Sequence, residues 1–195
     1  MVAKRLKMKQ KPLIAIIGES TAEPHSSAWQ LAEETGKLLI ENEYRLICGG
    51  RSGVMEAACK GAQSTAKHQS GDVIGLLPDF EPNRANPYVD IVIPSALGPF
   101  RNGIIANSSA VIAIGGGAGT LSEMAFAWAF HRLIIGYAID GWSGKLAGQK
   151  IDERIRYPQI PEDCVFAADT AIEAMALLEK WLPHYQQRNS GIRNS

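Results

Sequence analysis

Short runs of apolar, mostly β-branched residues alternate along this chain with segments whose apolar residues recur at helical spacing. The runs predict strands at 13–18, 44–48, 72–77, 90–93, 110–114, 133–139 and 164–167. Helices are predicted between most of them, except for an irregular crossing that starts at 141–144, and a last helix is predicted at 170–181 that stops near Pro183. Such alternation is typical of β-α-β units with parallel strands. It predicts an α/β protein with a Rossmann-like, three-layer α/β/α fold and a mainly parallel sheet of about seven strands.

The chain has 195 residues, which suits one domain. We expect that domain at 12–185, a basic N-terminal extension at 1–11 and a flexible polar tail at 186–195. Lys plus Arg and Asp plus Glu both total 20, so the charge gives no reason to expect nucleic acid or a membrane surface as a partner. The apolar runs are too short for an export signal or a membrane span. Three cysteines without disulfide or CxxC spacing predict reduced thiols in the cytoplasm.

The segment 115–123, Gly-Gly-Gly-Ala-Gly-Thr-Leu-Ser-Glu, joins the apolar run 110–114 directly to a predicted helix. Glycines let a backbone approach a ligand closely, and a helix N-terminus presents unpaired N–H groups and the positive end of the helix dipole. We therefore expect the segment to bind a phosphate, with Glu123 one turn further along the helix. The residues of this cradle are Gly116, Gly117, Ala118, Gly119 and Thr120. The simpler alternative is that the glycines only make a tight turn and that Glu123 only favours the dipole.

A second strand, glycine-rich turn and helix occupy residues 48–55. The turn places Arg51 among Gly49, Gly50 and Gly53. A guanidinium is suited to binding a phosphate or a carboxylate at two points. Arg51 is therefore a candidate ligand-binding residue, or else an exposed arginine on a loop.

Further polar residues stand at other ends of the predicted strands. Arg101 and Asn102 lie on a short, otherwise apolar helix before strand 110–114. Burying an arginine there is costly without an anionic partner, so we expect a ligand or Glu123 to pair with Arg101; the alternative is a surface arginine. Ser20 and Thr21 follow the first strand as hydroxyl donors or helix caps.

The spacing of the glycines and histidines does not match the common cofactor and metal motifs. Segment 115–123 is not GxGxxG, and neither it nor 141–145 fits GxxxxGK[ST]. The four histidines share no ligand-like spacing with Cys, Asp or Glu. The sequence therefore predicts no NAD and no structural metal.

At 49–55, 101–102 and 116–123 the chain resembles the superfamily once labelled lysine decarboxylase-like, which contains the LONELY GUY phosphoribohydrolases. The resemblance covers most of residues 12–182. Those enzymes have a PGGxGTxxE segment whose Glu corresponds to Glu123, and an upstream Arg that corresponds to Arg101. The resemblance implies hydrolysis of the N-glycosidic bond of a nucleoside 5′-monophosphate, AMP or a cytokinin nucleotide, with these two residues catalytic. No motif for a pyridoxal-phosphate lysine is present.

The chain departs from that pattern in three places. Gly115 replaces the proline, Asn102 replaces a lysine, and the interval from Arg to Glu is one residue shorter. These features look closer to a sister group that includes the molybdenum cofactor carrier proteins, which bind a phosphorylated pyranopterin without reacting with it. This resemblance implies a binding or carrier protein whose cargo is molybdenum cofactor, assembled as a homodimer or homotetramer; a phosphoribohydrolase is the alternative.

A third hypothesis is a nucleotide sensor whose output passes through the loop 78–87. The loop is long enough to be a lid or a subunit contact. Its role is left open by the sequence.

Overall fold

The computed structural model describes residues 10–186, so most of the predicted extension at 1–11 and tail at 186–195 lies outside the described residues. Within them the strands are β1 Leu13–Gly18, β2 Arg45–Cys48, β3 Val73–Leu77, β4 Ile91–Pro94, β5 Ala110–Ile114, β6 Leu133–Tyr137 and β7 Val165–Ala168. The α-helices are α1 Ser27–Glu41, α2 Val54–Gln63, α3 Asn102–Ala106, α4 Ala118–Ala129, α5 Trp142–Leu146 and α6 Ala171–Gln186. Two 3-10 turns cover Pro82–Arg84 and Gly98–Arg101.

The strands form one sheet in the order β4-β3-β2-β1-β5-β6-β7, and every neighbouring pair is parallel. β1 lies at the centre of the sheet, and β2, β3 and β4 follow in order on one side of it. The chain then crosses back, so that β5 pairs with the other side of β1 from Ile14↔Ala110 to Gly18↔Ile114. This confirms the predicted Rossmann-like α/β fold. In such sheets a crevice opens at the carboxyl ends of the strands where the order reverses. Here that point lies between β1 and β5.

Helices cover both faces of the sheet. Successive residues of a strand point to opposite faces, so Ile14 and Ile16 pack in the core under α1, α2 and α6, whereas Ala15 and Ile17 pack under α3, α4 and α5. Burial on both faces explains why the central strands read as unbroken apolar runs. No helix in the range 10–186 is both long and apolar enough to cross a membrane.

Two local predictions are wrong. The segment after β6, expected to be irregular, contains the short helix α5, which begins after Gly141 at φ 113°. Pro183 lies inside α6 instead of ending it, because Trp181, Leu182 and Tyr185 are buried in the core and hold the last turns in place. In both cases tertiary contacts outweigh local propensity.

A buried ion pair fastens the long connection between α5 and β7. Arg156 is fully buried and donates to the two carboxylate oxygens of Asp163 at 2.9 and 2.5 Å. Its guanidinium stacks 3.5 Å from the ring centroid of Trp128 in α4, and the Tyr185 hydroxyl of α6 donates to Asp163. The cluster thus joins the connection to two helices on opposite faces of the sheet.

Candidate ligand-binding site

A cleft of about 840 Å³ lies at the carboxyl ends of β1, β2 and β5. Many of the candidate residues line it: Ser20, Gly49, Arg101, Asn102, Gly116, Gly117, Ala118, Gly119, Thr120 and Glu123. The fold therefore brings together residues that are up to a hundred positions apart in the sequence.

The glycine-rich turn after β5 has a backbone conformation that residues other than glycine rarely adopt. Gly115 and Gly116 adopt φ of 62° and 89°, a region that L-residues rarely enter. A Cβ at Gly116 would lie 2.1 Å from Thr120 Oγ1, whereas one at Gly117 would meet no atom within 4 Å. No side chain caps α4 at Gly117, so the N–H groups of its first turn are available to a ligand in the cleft.

Helix α5 holds this turn in place. The Gly115 N–H donates to Ser143 Oγ at 2.7 Å, and Ser143 Oγ donates to the Tyr137 carbonyl at 2.7 Å. In return the carbonyls of Gly115 and Gly116 accept from the backbone N–H groups of Ser143 and Trp142. The cradle is therefore fixed before any ligand arrives.

Arg101 and Glu123 face one another across the cleft. Arg101 Nη1 lies 3.6 Å from Glu123 Oε1, and the side chains are 12% and 10% exposed. The predicted pairing of Arg101 with Glu123 is thus present, yet Arg101 Nε and Nη1 are buried without a hydrogen-bond partner among the described residues. Gly49 makes room for the guanidinium, since a Cβ there would lie 2.7 Å from Arg101 Nη2. Asn102 Nδ2 donates to Ser122 Oγ at 2.8 Å and ties α3 to α4.

Burial shifts the ionisation of both members of this pair. It raises the pKa of Glu123 to about 7, although the charge of Arg101 acts in the opposite direction. Burial also lowers the pKa of Arg101, which the carboxylate of Glu123 partly offsets; an arginine nevertheless stays protonated in proteins. Near neutral pH, Glu123 is therefore divided between its acid and carboxylate forms.

Three candidate residues of the 48–55 turn lie outside the cleft lining. Arg51 forms an ion pair with Asp79, which also lies 3.7 Å from Arg84, so Arg51 connects the end of β2 to the loop 78–87. Gly50 and Gly53 have positive φ and pack tightly: a Cβ would lie 3.2 Å from Gly75 Cα and 2.4 Å from the Glu19 carbonyl oxygen, respectively. Their contribution in the structure is to shape the turn.

Two acidic residues that the sequence analysis did not single out also line the cleft. Glu19 follows β1 and Asp140 comes three residues after β6; the Glu19 side chain and the Asp140 backbone carbonyl lie near Gly115. Thr21 Oγ1 donates to Glu19 Oε1 at 3.0 Å. The signal that identifies them is their position, because each comes directly after a predicted strand. The remaining lining residues are Ile16, Ile17, Gly18, Thr21, Met55, Pro78, Gly98, Pro99 and Gly141.

Comparison with known proteins agrees with this geometry. Residues 11–165 match the model of the SLOG cluster4 family. The chain belongs to that family. A protein of Archaeoglobus fulgidus, described only as uncharacterized, is 41% identical over 115 residues, which are 58% of this chain and 72% of that protein.

Two solved structures of similar length share the fold. The molybdenum cofactor binding protein of the phototrophic bacterium Rippkaea orientalis superposes with a TM-score of 0.72 at 30% identity, covering 89% of this chain and 98% of that one. The molybdenum cofactor carrier protein of Chlamydomonas reinhardtii gives 0.70 at 28% identity, covering 89% and 99%. The resemblance to LONELY GUY-like proteins, with molybdenum cofactor carriers as structural neighbours, is confirmed.

Proposed function

We propose that this protein binds and carries a phosphorylated small molecule and that its cargo is molybdenum cofactor. The proposal rests on the unpartnered side chain of Arg101. The Nε and Nη1 atoms of this cation are buried and have no hydrogen-bond partner among the described residues. Buried donors nearly always have partners. An anion placed between Arg101 and the first turn of α4 would supply them, and a phosphate suits both groups.

The cleft has room for more than a phosphate. Its volume of about 840 Å³ lies within the range of sites that enclose a whole small molecule, on the order of 300–1,000 Å³. In this proposal the phosphate lies on Gly116–Thr120 and Arg101, and the pyranopterin extends along the cleft towards Ser20. The names of the two similar structures support molybdenum cofactor as the organic part.

The backbone at Gly115 favours a carrier over a LONELY GUY-type hydrolase. The hydrolases have a proline at this position of the turn. Proline holds φ near −65° and has no N–H, whereas Gly115 has φ 62° and donates to Ser143 Oγ. The turn of this chain therefore has a geometry that the PGG sequence cannot adopt.

A phosphoribohydrolase is the second candidate, because Arg101 and Glu123 lie 3.6 Å apart in one cleft. In that reaction the Glu123 carboxylate would stabilise positive charge developing on the ribose, and Arg101 would orient the nucleotide. This role requires Glu123 to be ionised.

The proposal includes assembly with further copies of this chain in the cytoplasm. Helices α3 and α4 and the residues that flank them carry exposed apolar side chains, here named the α3–α4 surface: Leu97, Phe100, Ile104, Phe126 and Phe130. The rings of Phe126 and Phe130 stack at 5.9 Å, and Phe100 is 86% exposed. The five side chains expose on the order of 500 Å². A standard interface buries about 800 Å² per partner, of which about 65% is apolar in homodimers, so a second copy matches this surface in size.

Retention of cofactor tests the carrier function. The protein is purified from cells that synthesise molybdenum cofactor, and the bound pterin is quantified after oxidation to a fluorescent derivative. Gly117→Asp and Gly117→Asn are compared, since a Cβ at Gly117 meets no atom within 4 Å and the two side chains have similar volumes. We expect Asp to lower retention at least tenfold more than Asn, because only Asp places a negative charge in the cradle. Equal retention in the two variants would exclude the cradle as the phosphate site.

The same preparations separate the two candidate functions. Wild-type protein is incubated with AMP and with its N6-isopentenyl analogue, and the released base is measured by chromatography. Recovery of the nucleotides intact would support the carrier function. Release of base that disappears in Glu123→Ala would instead identify a phosphoribohydrolase.

A further inference from the structure

Glu123 lies where it competes with a bound phosphate for Arg101. The 3.6 Å between Glu123 Oε1 and Arg101 Nη1 is too long for a hydrogen bond, so the carboxylate neutralises the guanidinium without saturating it. A phosphate that completes the hydrogen bonds of Arg101 comes close to the carboxylate, one turn into the helix whose N-terminus binds it. Two anions that share one buried cation repel each other strongly.

We propose that Glu123 enters the complex as a neutral carboxylic acid that donates its O–H to a phosphate oxygen, so that loading takes up one proton from solvent. The carboxylate gains the proton, Arg101 exchanges its carboxylate partner for phosphate, and no covalent bond between heavy atoms forms or breaks. This role rests on the proposed function, since it requires a phosphate on Arg101.

The other ionisable groups around the cleft are placed differently. The Glu19 side chain and the backbone carbonyl of Asp140 lie beside Gly115, and the Glu19 carboxylate accepts from Thr21. The Cys48 thiol at the end of β2 is in contact with the thiol of Cys59, with the sulfur atoms 3.5 Å apart. Arg51, whose charge acts on Arg101, forms an ion pair with Asp79. Among these, Glu123 combines deep burial with direct contact to Arg101.

The raised pKa of Glu123 supports this role, because the proton then costs little free energy near neutral pH. The role also separates the two candidate functions. A hydrolase needs the Glu123 carboxylate, whereas a carrier needs the acid.

Isothermal titration calorimetry at pH 8, in two buffers of different ionisation enthalpy, measures the proton uptake. The probes are AMP and inorganic phosphate, with adenosine as a control that lacks the phosphate. The proteins are wild type, Glu123→Gln and the matched control Glu179→Gln, which makes the same change at an exposed residue of α6 outside the cleft. We expect uptake of about one proton per AMP in wild type and in Glu179→Gln, and none in Glu123→Gln.

The pH dependence of affinity gives a second readout. A phosphate monoester is already a dianion above pH of about 6, so a change in affinity at higher pH reports on the protein. From pH 8 to 9 we expect the Kd of wild type for AMP to rise about tenfold and that of Glu123→Gln to stay level.

The outcomes distinguish this role from the proposed function. Binding of AMP by wild type without proton uptake, or with the same uptake in Glu123→Gln, would overturn the role of Glu123 and leave the phosphate site standing. Failure of both phosphate probes to bind wild type and Glu123→Gln would overturn the phosphate site and this role with it.

Discussion

The backbone N–H of Gly115 donates a 2.7 Å hydrogen bond to Ser143 Oγ. The bond joins the glycine-rich turn after β5 to α5, the helix that follows β6. It also explains why the turn can begin with a residue at positive φ, since the neighbouring helix fixes that conformation.

Replacement of Gly115 by proline tests this connection. Proline cannot adopt φ 62° and cannot donate to Ser143, so we expect Gly115→Pro to lower the free energy of unfolding by about 3 kcal/mol or more. Gly115→Ala keeps the N–H and should cost only about 1–2 kcal/mol. Denaturant unfolding measures both. A proline variant as stable as the alanine variant would show that the turn has another conformation in solution.

Glu123 makes stability depend on pH. Its pKa rises from 4.5 in an unfolded chain to about 7 in the fold, so the folded state binds more protons between these values. Stability is therefore fully present below pH 4.5 and falls as pH rises through 7, by up to about 3 kcal/mol. Glu123→Gln mimics the protonated form. We expect the variant to gain stability over wild type between pH 4.5 and 8 in parallel urea titrations; a difference that does not change with pH would contradict the shifted pKa.

Charges on the α3–α4 surface should prevent assembly. We expect wild type to be at least dimeric and Ile104→Glu and Phe126→Lys to be monomeric, because a buried unpaired charge opposes contact between two apolar surfaces. Ile172→Glu is the matched control, since Ile172 is 69% exposed on α6. Size-exclusion chromatography with light scattering gives the masses. A monomeric wild type, or an unchanged mass in the two surface variants, would exclude this surface as the contact.

The buried Arg156–Asp163 pair should contribute strongly to stability. Asp163→Ala leaves the guanidinium of Arg156 without its carboxylate in the protein interior, which costs about 3–5 kcal/mol. Glu153→Gln, on the same connection but exposed, should unfold close to wild type in thermal melts. Similar melting temperatures for Asp163→Ala and wild type would show that the cluster is open to solvent.

The sequence predicts the fold better than it predicts the site. Residues 13–18 and 110–114 are strands with the predicted bounds, because central parallel strands are apolar on both faces and need no context to be recognised. The order β3-β2-β1-β5-β6 has no local signature, and it is this order that brings Glu19 and Asp140 to the cleft. Arg51 shows the same limit: its pairing with Asp79 depends on how the loop 78–87 folds back.

The geometry of the cleft also depends on the absence of a side chain at Gly49. Gly49 and the Arg101 guanidinium occupy adjoining space, and a single methyl group at position 49 would stand 2.7 Å from the nitrogen of the cation. The Arg101 guanidinium therefore occupies space that the turn after β2 leaves free. In the proposed site, the volume of residue 49 would set the position of the cation, although that residue has no functional group of its own.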